Sequence, residues 1–161
     1  MIKYAKKDNF YSIFPMGEIP NDWEELTKEE YDKHFEKTLD ELKSEKLSEL
    51  TAITSKFDNQ LVNNEMIINS SLGFKVNADL RSQLNIHRLI NVGVEPVSFI
   101  VADNTTVDLS LAQLNILISE CEENMQHLFD LKQSYKKQIA DATTKEELDA
   151  IEIKFEMLDF S

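Results

Sequence analysis

The chain has 161 residues, of which 42% are hydrophobic and 29% charged, and its net charge is −13. An acidic surface repels phosphate backbones and anionic lipids, so we expect neither nucleic acid nor a membrane as a partner. Three glycines and three prolines favour long helices over a barrel or sandwich with many tight turns. The first residues lack the apolar segment of a secretory signal, and a single cysteine fits a reducing compartment. The composition therefore predicts a cytoplasmic protein.

Residues 1–25 predict a small aromatic β-hairpin followed by a proline-containing loop. Two β-prone runs, 2–5 and 10–14, flank turn-forming residues. A hairpin this small must bury its apolar face somewhere. The aromatic residues of this segment are therefore either a partner-binding surface or a layer packed against a helix, and the pattern leaves both open. The candidate partner-binding residues are Tyr4, Phe10, Tyr11, Phe14 and Trp23.

Residues 26–64 predict one long, acidic, amphipathic helix. Thr27 and Glu30 have the spacing of a capping box, and apolar residues then recur mostly three and four positions apart. Twelve acids and five lysines lie within residues 18–50, which gives this stretch a net charge of −7. That charge either keeps the helix solvated, which is the more common role, or attracts a basic partner. A continuous helix over 27–62 must pack on another helix or pair between chains.

Residues 65–161 predict an α+β region that ends in a long helix and a short helix. The first hairpin covers 66–76, and Asn77 is expected to cap a short helix with Leu80, Leu84 and Ile90 facing inward. A further hairpin follows, with its turn at positions 103 and 104.

The long helix begins after Ser110, and its apolar positions alternate steps of three and four. Such a heptad pattern forms either the core of one chain or the seam of a homo-oligomer. Thr144 and Glu147 then start a last short helix, which is expected to extend through Phe155. The stripe consists of Leu111, Leu114, Ile118, Cys121, Met125 and Leu128.

The predicted fold class is α+β and mostly helical, with two long antiparallel amphipathic helices and small β-hairpins and short helices between them. The residues that could carry chemistry are scattered. Three histidines lie far apart in the chain, and Cys121 lies on the apolar stripe, where cysteine acts as a small hydrophobic residue. Three glycines cannot form a phosphate-binding glycine loop. We therefore expect a non-enzymatic protein with no catalytic residues, no metal and no cofactor.

Several short motifs follow one another in the second half of the chain in a characteristic order and spacing. They are Gly73-Phe-Lys-Val-Asn-Ala-Asp79, Arg81-Ser82, Asn85-Ile86, Ala102-Asp-Asn104, Leu109-Ser-Leu-Ala-Gln-Leu114 and Ala142 to Ile151. By these motifs, residues 66–161 resemble an uncharacterised domain family at the C-termini of phage and prophage tail-associated proteins. The opening, residues 19–31, is similar to that of tail-fibre assembly proteins, although the C-terminal Trp-Lys-x-Tyr-Arg signature of one group of fibre chaperones is missing.

The resemblance implies a non-enzymatic phage or prophage tail protein in the cytoplasm of a bacterial host during phage assembly. The first hypothesis is a tail-fibre assembly factor, a chaperone that binds the fibre protein and covers its apolar surface until trimerisation buries it. One alternative is a structural component of the virion tail, such as a baseplate or fibre-tip adaptor, with the heptad stripe as its oligomer seam. Another is an acidic protein that inhibits or regulates a basic host protein.

Overall fold

The computed structural model describes residues 2–15, 18–63 and 65–161. Parts of the predicted N-terminal segment and loop, and the last position of the predicted 26–64 helix, lie outside the described residues. Helix accounts for 52% and strand for 18% of the chain, which confirms the mostly helical α+β class. The elements are β1 (Lys3–Lys7), β2 (Phe10–Phe14), β3 (Glu24–Leu26), α1 (Lys28–Phe35), α2 (Leu39–Val62), β4 (Ile67–Asn69), β5 (Lys75–Asn77), α3 (Leu80–Val92), β6 (Val97–Ile100), β7 (Thr106–Leu109), α4 (Leu111–Asp141) and α5 (Lys145–Asp149).

The chain divides into two units, one that ends at Glu41 and one that spans Leu42–Ser161. In the first unit, β1 and β2 form the predicted antiparallel hairpin. The added strand β3 pairs with the other edge of β1, in the sheet order β2-β1-β3. The sequence did not predict β3, because consecutive glutamates are depleted in strands. Here both glutamates form ion pairs with lysines of β1: Glu24, opposite Lys6, lies 3.1 Å from its Nζ, and Glu25, opposite Ala5, lies 3.1 Å from Lys3 Nζ.

The single helix predicted over 27–62 is wrong, because the structure has two helices, α1 and α2. The backbone of Glu36 turns extended after α1, with φ −66° and ψ 130°. Thr38 then opens a second capping box: its N–H and Oγ1 donate to Glu41 Oε2 at 2.8 and 2.9 Å, and Glu41 N–H donates back to Thr38 Oγ1 at 3.2 Å. This threonine and glutamate repeat the spacing of Thr27 and Glu30, so the break has a sequence signal. The first unit ends close to this break, at Glu41.

In the second unit, α2 and α4 run antiparallel, as predicted. Lys43 Nζ, near the start of α2, donates to the carbonyl of Ala140 at 2.7 Å, near the end of α4. Further along α2, Asp58 forms an ion pair with Lys132 at 3.7 Å. The two predicted hairpins, β4–β5 and β6–β7, are both present. With α2, α3 and α4 they enclose a core of buried residues, namely Met66, Ile68, Val76, Ala78, Ile86, Phe99, Val101, Leu109, Leu114, Leu117, Ile118, Cys121 and Leu128.

Helix α3 differs from the prediction at its start. Asp79, rather than Asn77, is the N-cap, and its side chain accepts a hydrogen bond from the N–H of Ser82. Leu80 and Leu84, predicted to face inward, are exposed, and Ile86 is fully buried. The buried face is fixed by packing on α4, and a cap position alone does not specify it.

The last ten residues also differ from the prediction, because α5 ends at Asp149 instead of extending through Phe155. Residues 152–161, which we call the C-terminal strap, run extended along α4. Tyr135 Oη donates to the carbonyl of Lys154 at 3.1 Å and accepts from its N–H at 3.0 Å. At its far end the strap forms a parallel bridge to β4. From Ile153 to Met157 its apolar residues recur every second position, which is the period of a strand and not of a helix.

Candidate functional site

The aromatic residues predicted to bind a partner are divided between the two faces of the N-terminal sheet. On one face, Tyr4 and Tyr11 pack against α1. The ring of Tyr4 lies 5.1 Å from that of Tyr31, and the ring of Tyr11 lies 5.7 Å from that of Phe35 and stacks on His34 at 3.4 Å. These five residues form what we call the aromatic cluster. Two of the predicted residues therefore serve as packing within the first unit.

The other predicted aromatic residues lie elsewhere on the sheet. Phe14 is three positions after Tyr11 in the same strand, so it points to the opposite face. There its ring meets that of Trp23 edge-on, at a centroid distance of 5.6 Å and an interplanar angle of 81°. Phe10, at the hairpin end, is 70% exposed. The five therefore do not form one surface: two pack against α1, two contact each other on the opposite face, and one is exposed at the hairpin end.

The first unit nevertheless leaves much apolar surface uncovered. Ala5 is the one buried residue in its described part, and α1 has none. Below about 40 residues, a domain rarely buries enough surface to be stable without a further partner or crosslink. Exposed apolar side chains therefore mark this unit as a surface that another molecule can cover. They are Ile2, Phe10, Ile13 and Phe35.

The heptad stripe of α4, in contrast, lies in the core of the second unit. Leu114 and Cys121 are completely buried, and Ile118 and Leu128 are nearly so. The remaining members, Leu111 and Met125, are partly buried against the same core. The sequence left open whether the stripe is the core of one chain or the seam of a homo-oligomer. In this structure the stripe lies in the core of one chain.

Cys121 is also chemically unsuited to act as a nucleophile. Burial raises the pKa of the Cys121 thiol to about 12, and the charge of the adjacent Glu120 adds to the effect. The thiolate is the reactive form of cysteine, so this side chain is inert at neutral pH. In the described part of the chain, no group of three or more histidine, cysteine or acidic side chains could hold a metal ion.

Two buried polar side chains of α4 fasten neighbouring segments to the helix. Glu120 Oε1 accepts hydrogen bonds from the N–H and Oγ of Ser71, in the β4–β5 turn, at 3.1 and 2.5 Å. Asn124 Oδ1 accepts from the N–H of Leu158, in the C-terminal strap, at 2.9 Å. A buried polar group without a partner would be costly. These contacts therefore fix where the turn and the strap lie on α4.

A polar pocket of about 610 Å³ opens beside α3. It contains both arginines of the chain, Arg81 and Arg88. They are seven residues apart, so they lie on one face of the helix and about 10 Å apart along its axis. Both are exposed, and neither side chain has an ion pair or hydrogen bond to another described residue. The lining of this pocket, which we call the arginine pocket, consists of Asn77, Asp79, Arg81, Ser82, Leu84, Asn85 and Arg88.

The one acidic side chain in the lining does not neutralise the arginines by direct contact. Asp79 is almost completely buried, and its two oxygens accept from the N–H and Oγ of Ser82 at 2.9 and 2.8 Å. Asn77 and Asn85 provide neutral amide groups, and Leu84 is 70% exposed between the two arginines. A smaller concavity of about 200 Å³ adjoins it and reaches strand β6. Sequence analysis missed this site, although two arginines at helical spacing in an acidic chain were a usable signal.

The chain is a mostly helical α+β protein whose second unit has a continuous buried core. Its candidate sites are the exposed apolar surface of the first unit and the arginine pocket. No helix in the described residues is long and apolar enough to cross a membrane. The chain belongs to the family described as a domain of unknown function, DUF4376, whose model matches residues 41–152. The match includes the arginine pocket and the heptad stripe, and it excludes the aromatic cluster. No curated protein and no solved structure matches the chain.

Proposed function

We propose that this protein is a non-enzymatic phage or prophage tail-associated protein, and specifically a tail-fibre assembly factor that binds the fibre protein. The observation that carries the proposal is the uncovered apolar surface of the first unit. Phe10 and Ile13 are exposed on a sheet that buries a single described residue. An unfinished fibre subunit exposes apolar surface that its trimer will bury, and these side chains offer that surface a temporary partner.

The charge of the chain supports a transient role. Residues 18–50, which cover much of the first unit and the start of α2, have a net charge of −7. Like charge on bound copies keeps them apart and limits aggregation of the exposed apolar groups. The family match adds no activity, since the family's function is not known. The short motifs that resemble tail-associated proteins supply the phage context.

The test is mass spectrometry of purified phage particles and of the lysate from the same induced bacterial host. An assembly factor is expected in the lysate and absent from intact particles. Stoichiometric protein in the particles would contradict this role and make the chain a structural tail component, such as a baseplate or fibre-tip adaptor. Capture of a basic host protein, with no tail protein in the same pull-down, would instead favour an inhibitor or regulator.

A pair of variants tests whether the first unit is the binding surface. Replacement of Phe10 and Ile13 by serine removes exposed apolar groups, so it should abolish capture of the fibre protein without unfolding the second unit. Phe129, which is 55% exposed on α4, offers a matched control, and Phe129→Ser should leave capture unchanged. Equal loss of capture in both variants would place the binding surface elsewhere.

A further inference from the structure

We propose that the arginine pocket binds an acidic segment of a partner protein, one in which two carboxylate groups lie about 10 Å apart. This site is separate from the apolar surface of the first unit. It also lies within residues 41–152, the part of the chain that the family model matches.

The charge arrangement is the first argument. The chain has 30 acidic residues against 17 lysines and arginines, so nearby carboxylates are plentiful. Several lysines use them: Lys3, Lys6 and Lys132 all form ion pairs. Arg81 and Arg88 are left without such a partner in the described residues. Two guanidinium groups that face one concave surface therefore keep all their donors available to a ligand.

The residue type is the second argument. The planar guanidinium presents paired N–H donors that match the two oxygens of a carboxylate, which an ammonium group cannot do. Both arginines of the chain are in this pocket, and the other cations are lysines. The amide of Asn85 and the exposed side chain of Leu84 lie between them along the helix. This order of charge, apolar group and charge fits a segment with an acidic residue on each side of an apolar one.

The small number of positive charges in the pocket, and the acidic character of the rest of the chain, favour a protein segment over nucleic acid as the ligand. A polyphosphate backbone would extend well beyond two positive charges and would meet the acidic remainder of the chain, which repels it. A peptide places its charges only where its sequence has them, so it can engage the two arginines and remain neutral elsewhere. Arg81 and Arg88 are seven residues apart on α3. Two glutamates seven residues apart on a partner helix would likewise share one face, so the two pairs of charges can match when the helices pack together.

The experiment uses the Nε–Hε signals of the ¹⁵N-labelled full-length protein, because a chain with two arginines gives two such signals. Arg81→Gln and Arg88→Gln assign them. The probe is a helical peptide with two glutamates seven residues apart and a leucine midway, and its matched control has glutamine at both positions. Both signals should shift with the glutamate peptide and neither with the glutamine peptide. The proposal would be overturned if the glutamate peptide shifted neither signal at millimolar concentration.

Charge-matched variants separate the pocket from general electrostatics. In titrations followed by the backbone amide signals, Arg81→Gln with Arg88→Gln should weaken binding of the glutamate peptide by about tenfold or more, as expected for loss of charge-assisted hydrogen bonds. Lys56→Gln with Lys136→Gln removes the same charge from exposed sites on α2 and α4 and should change binding less than about threefold. Equal weakening by the two pairs would contradict a specific site. Stronger shifts with inorganic phosphate than with the peptide would also refute the proposal and indicate a small-anion site.

Discussion

The two units of this chain differ in how much of their apolar surface they bury. The second unit has a core of aliphatic side chains from helices and hairpins, with Leu114, Leu117 and Ile139 completely removed from solvent. The first unit has an aromatic cluster that remains partly exposed and a single buried residue, Ala5, in its described part. The second unit therefore buries enough apolar surface to be stable alone, while the first leaves several apolar side chains exposed.

Polar contacts show the same contrast. In the first unit the ion pairs are exposed, as with Lys3 and Glu25 at 3.1 Å, and exposed pairs contribute at most about 1 kcal/mol each. In the second unit Asn124 is completely buried and binds the strap, so its loss would leave a backbone donor without its partner. The second unit should therefore respond to point changes as a cooperative whole, and the first only locally.

The largest expected effect comes from a charge in the core of the second unit. Ile118→Asp would bury an unpaired carboxylate, which should cost more than about 4 kcal/mol and unfold this unit. Ile116→Asp is the control, because Ile116 is 40% exposed on the same helix and should tolerate the change. Circular dichroism and thermal unfolding of both variants measure the difference. A folded Ile118→Asp monomer would mean that the stripe is an oligomer seam after all.

The next effect is protection of the single thiol. Because Cys121 is buried and its pKa is raised to about 12, its alkylation at pH 8 should be more than about 100-fold slower in the folded protein than in denaturant. Labelling followed by intact-mass measurement gives both rates. Rapid labelling of the folded protein would show that the core around α4 opens locally, and the contrast between the units would then be smaller than the burial indicates.

The elements that sequence analysis predicted correctly are those with strong local signals. Thr27 and Ser110 form the predicted N-caps of α1 and α4, each with a complete capping box. The hairpin turns have the expected residues, and Asp8 and Asn104 adopt positive φ values, 52° and 65°, which aspartate and asparagine tolerate in turns. In each of these cases the interaction joins residues within a few positions of one another, so the pattern is visible in the sequence.

The elements that were missed depend on contacts between distant residues. The strap follows α5 because Tyr135 and Asn124 hold it on α4, and no local pattern specifies those partners. The break before Thr38 did have a local signal, but the continuing apolar period concealed it. The arginine pocket was missed for another reason: the spacing of Arg81 and Arg88 is visible in the sequence, but only the structure shows that their side chains have no intramolecular ion pair or hydrogen bond among the described residues.

A moderate effect should follow from release of the strap. Asn124→Ala removes the acceptor of the Leu158 N–H and leaves a small cavity, so the free energy of unfolding should fall by about 2 kcal/mol. Gln126→Ala is the control, because this exposed amide binds only the nearby Asp130 side chain, and its loss should cost less than about 0.5 kcal/mol. Urea unfolding measures both. Equal losses would show that the strap contributes no more to the core than a surface contact does.

A smaller effect is expected when the first unit is removed. A chain that begins at Thr38 keeps the capping box with Glu41 and all of the second unit. Its thermal midpoint should lie within about 3 °C of that of the full chain, which corresponds to less than about 1 kcal/mol. Calorimetry measures it. A markedly lower midpoint would mean that the second unit needs the first for its stability. The buried core of the second unit would then not be sufficient to stabilise it alone.

The smallest effect concerns the acid stability of α1. The backbone N–H and Oγ1 of Thr27 donate to Glu30 Oε2 at 2.8 and 3.0 Å, and these bonds lower the pKa of Glu30 below its ordinary value of 4.5. Because the folded pKa is depressed, the stabilising contribution is complete above about pH 4.5 and is lost as the pH falls through the lower, folded value. Amide exchange or chemical shifts of α1 should report fraying in that window.

Variants of neighbouring glutamates isolate the cap. Glu30→Gln should remove most of the pH dependence, since a glutamine still accepts the hydrogen bonds but does not titrate there. Glu29→Gln, one residue earlier in the first turn of α1, removes the same charge near the helix N-terminus and should leave the Glu30 transition in place. If the second unit showed the same acid transition at the same pH, the fraying would be global. The first unit would then not have the lower local stability of the two. Loss of a single cap frays a helix on its own only where little buried surface stabilises that helix.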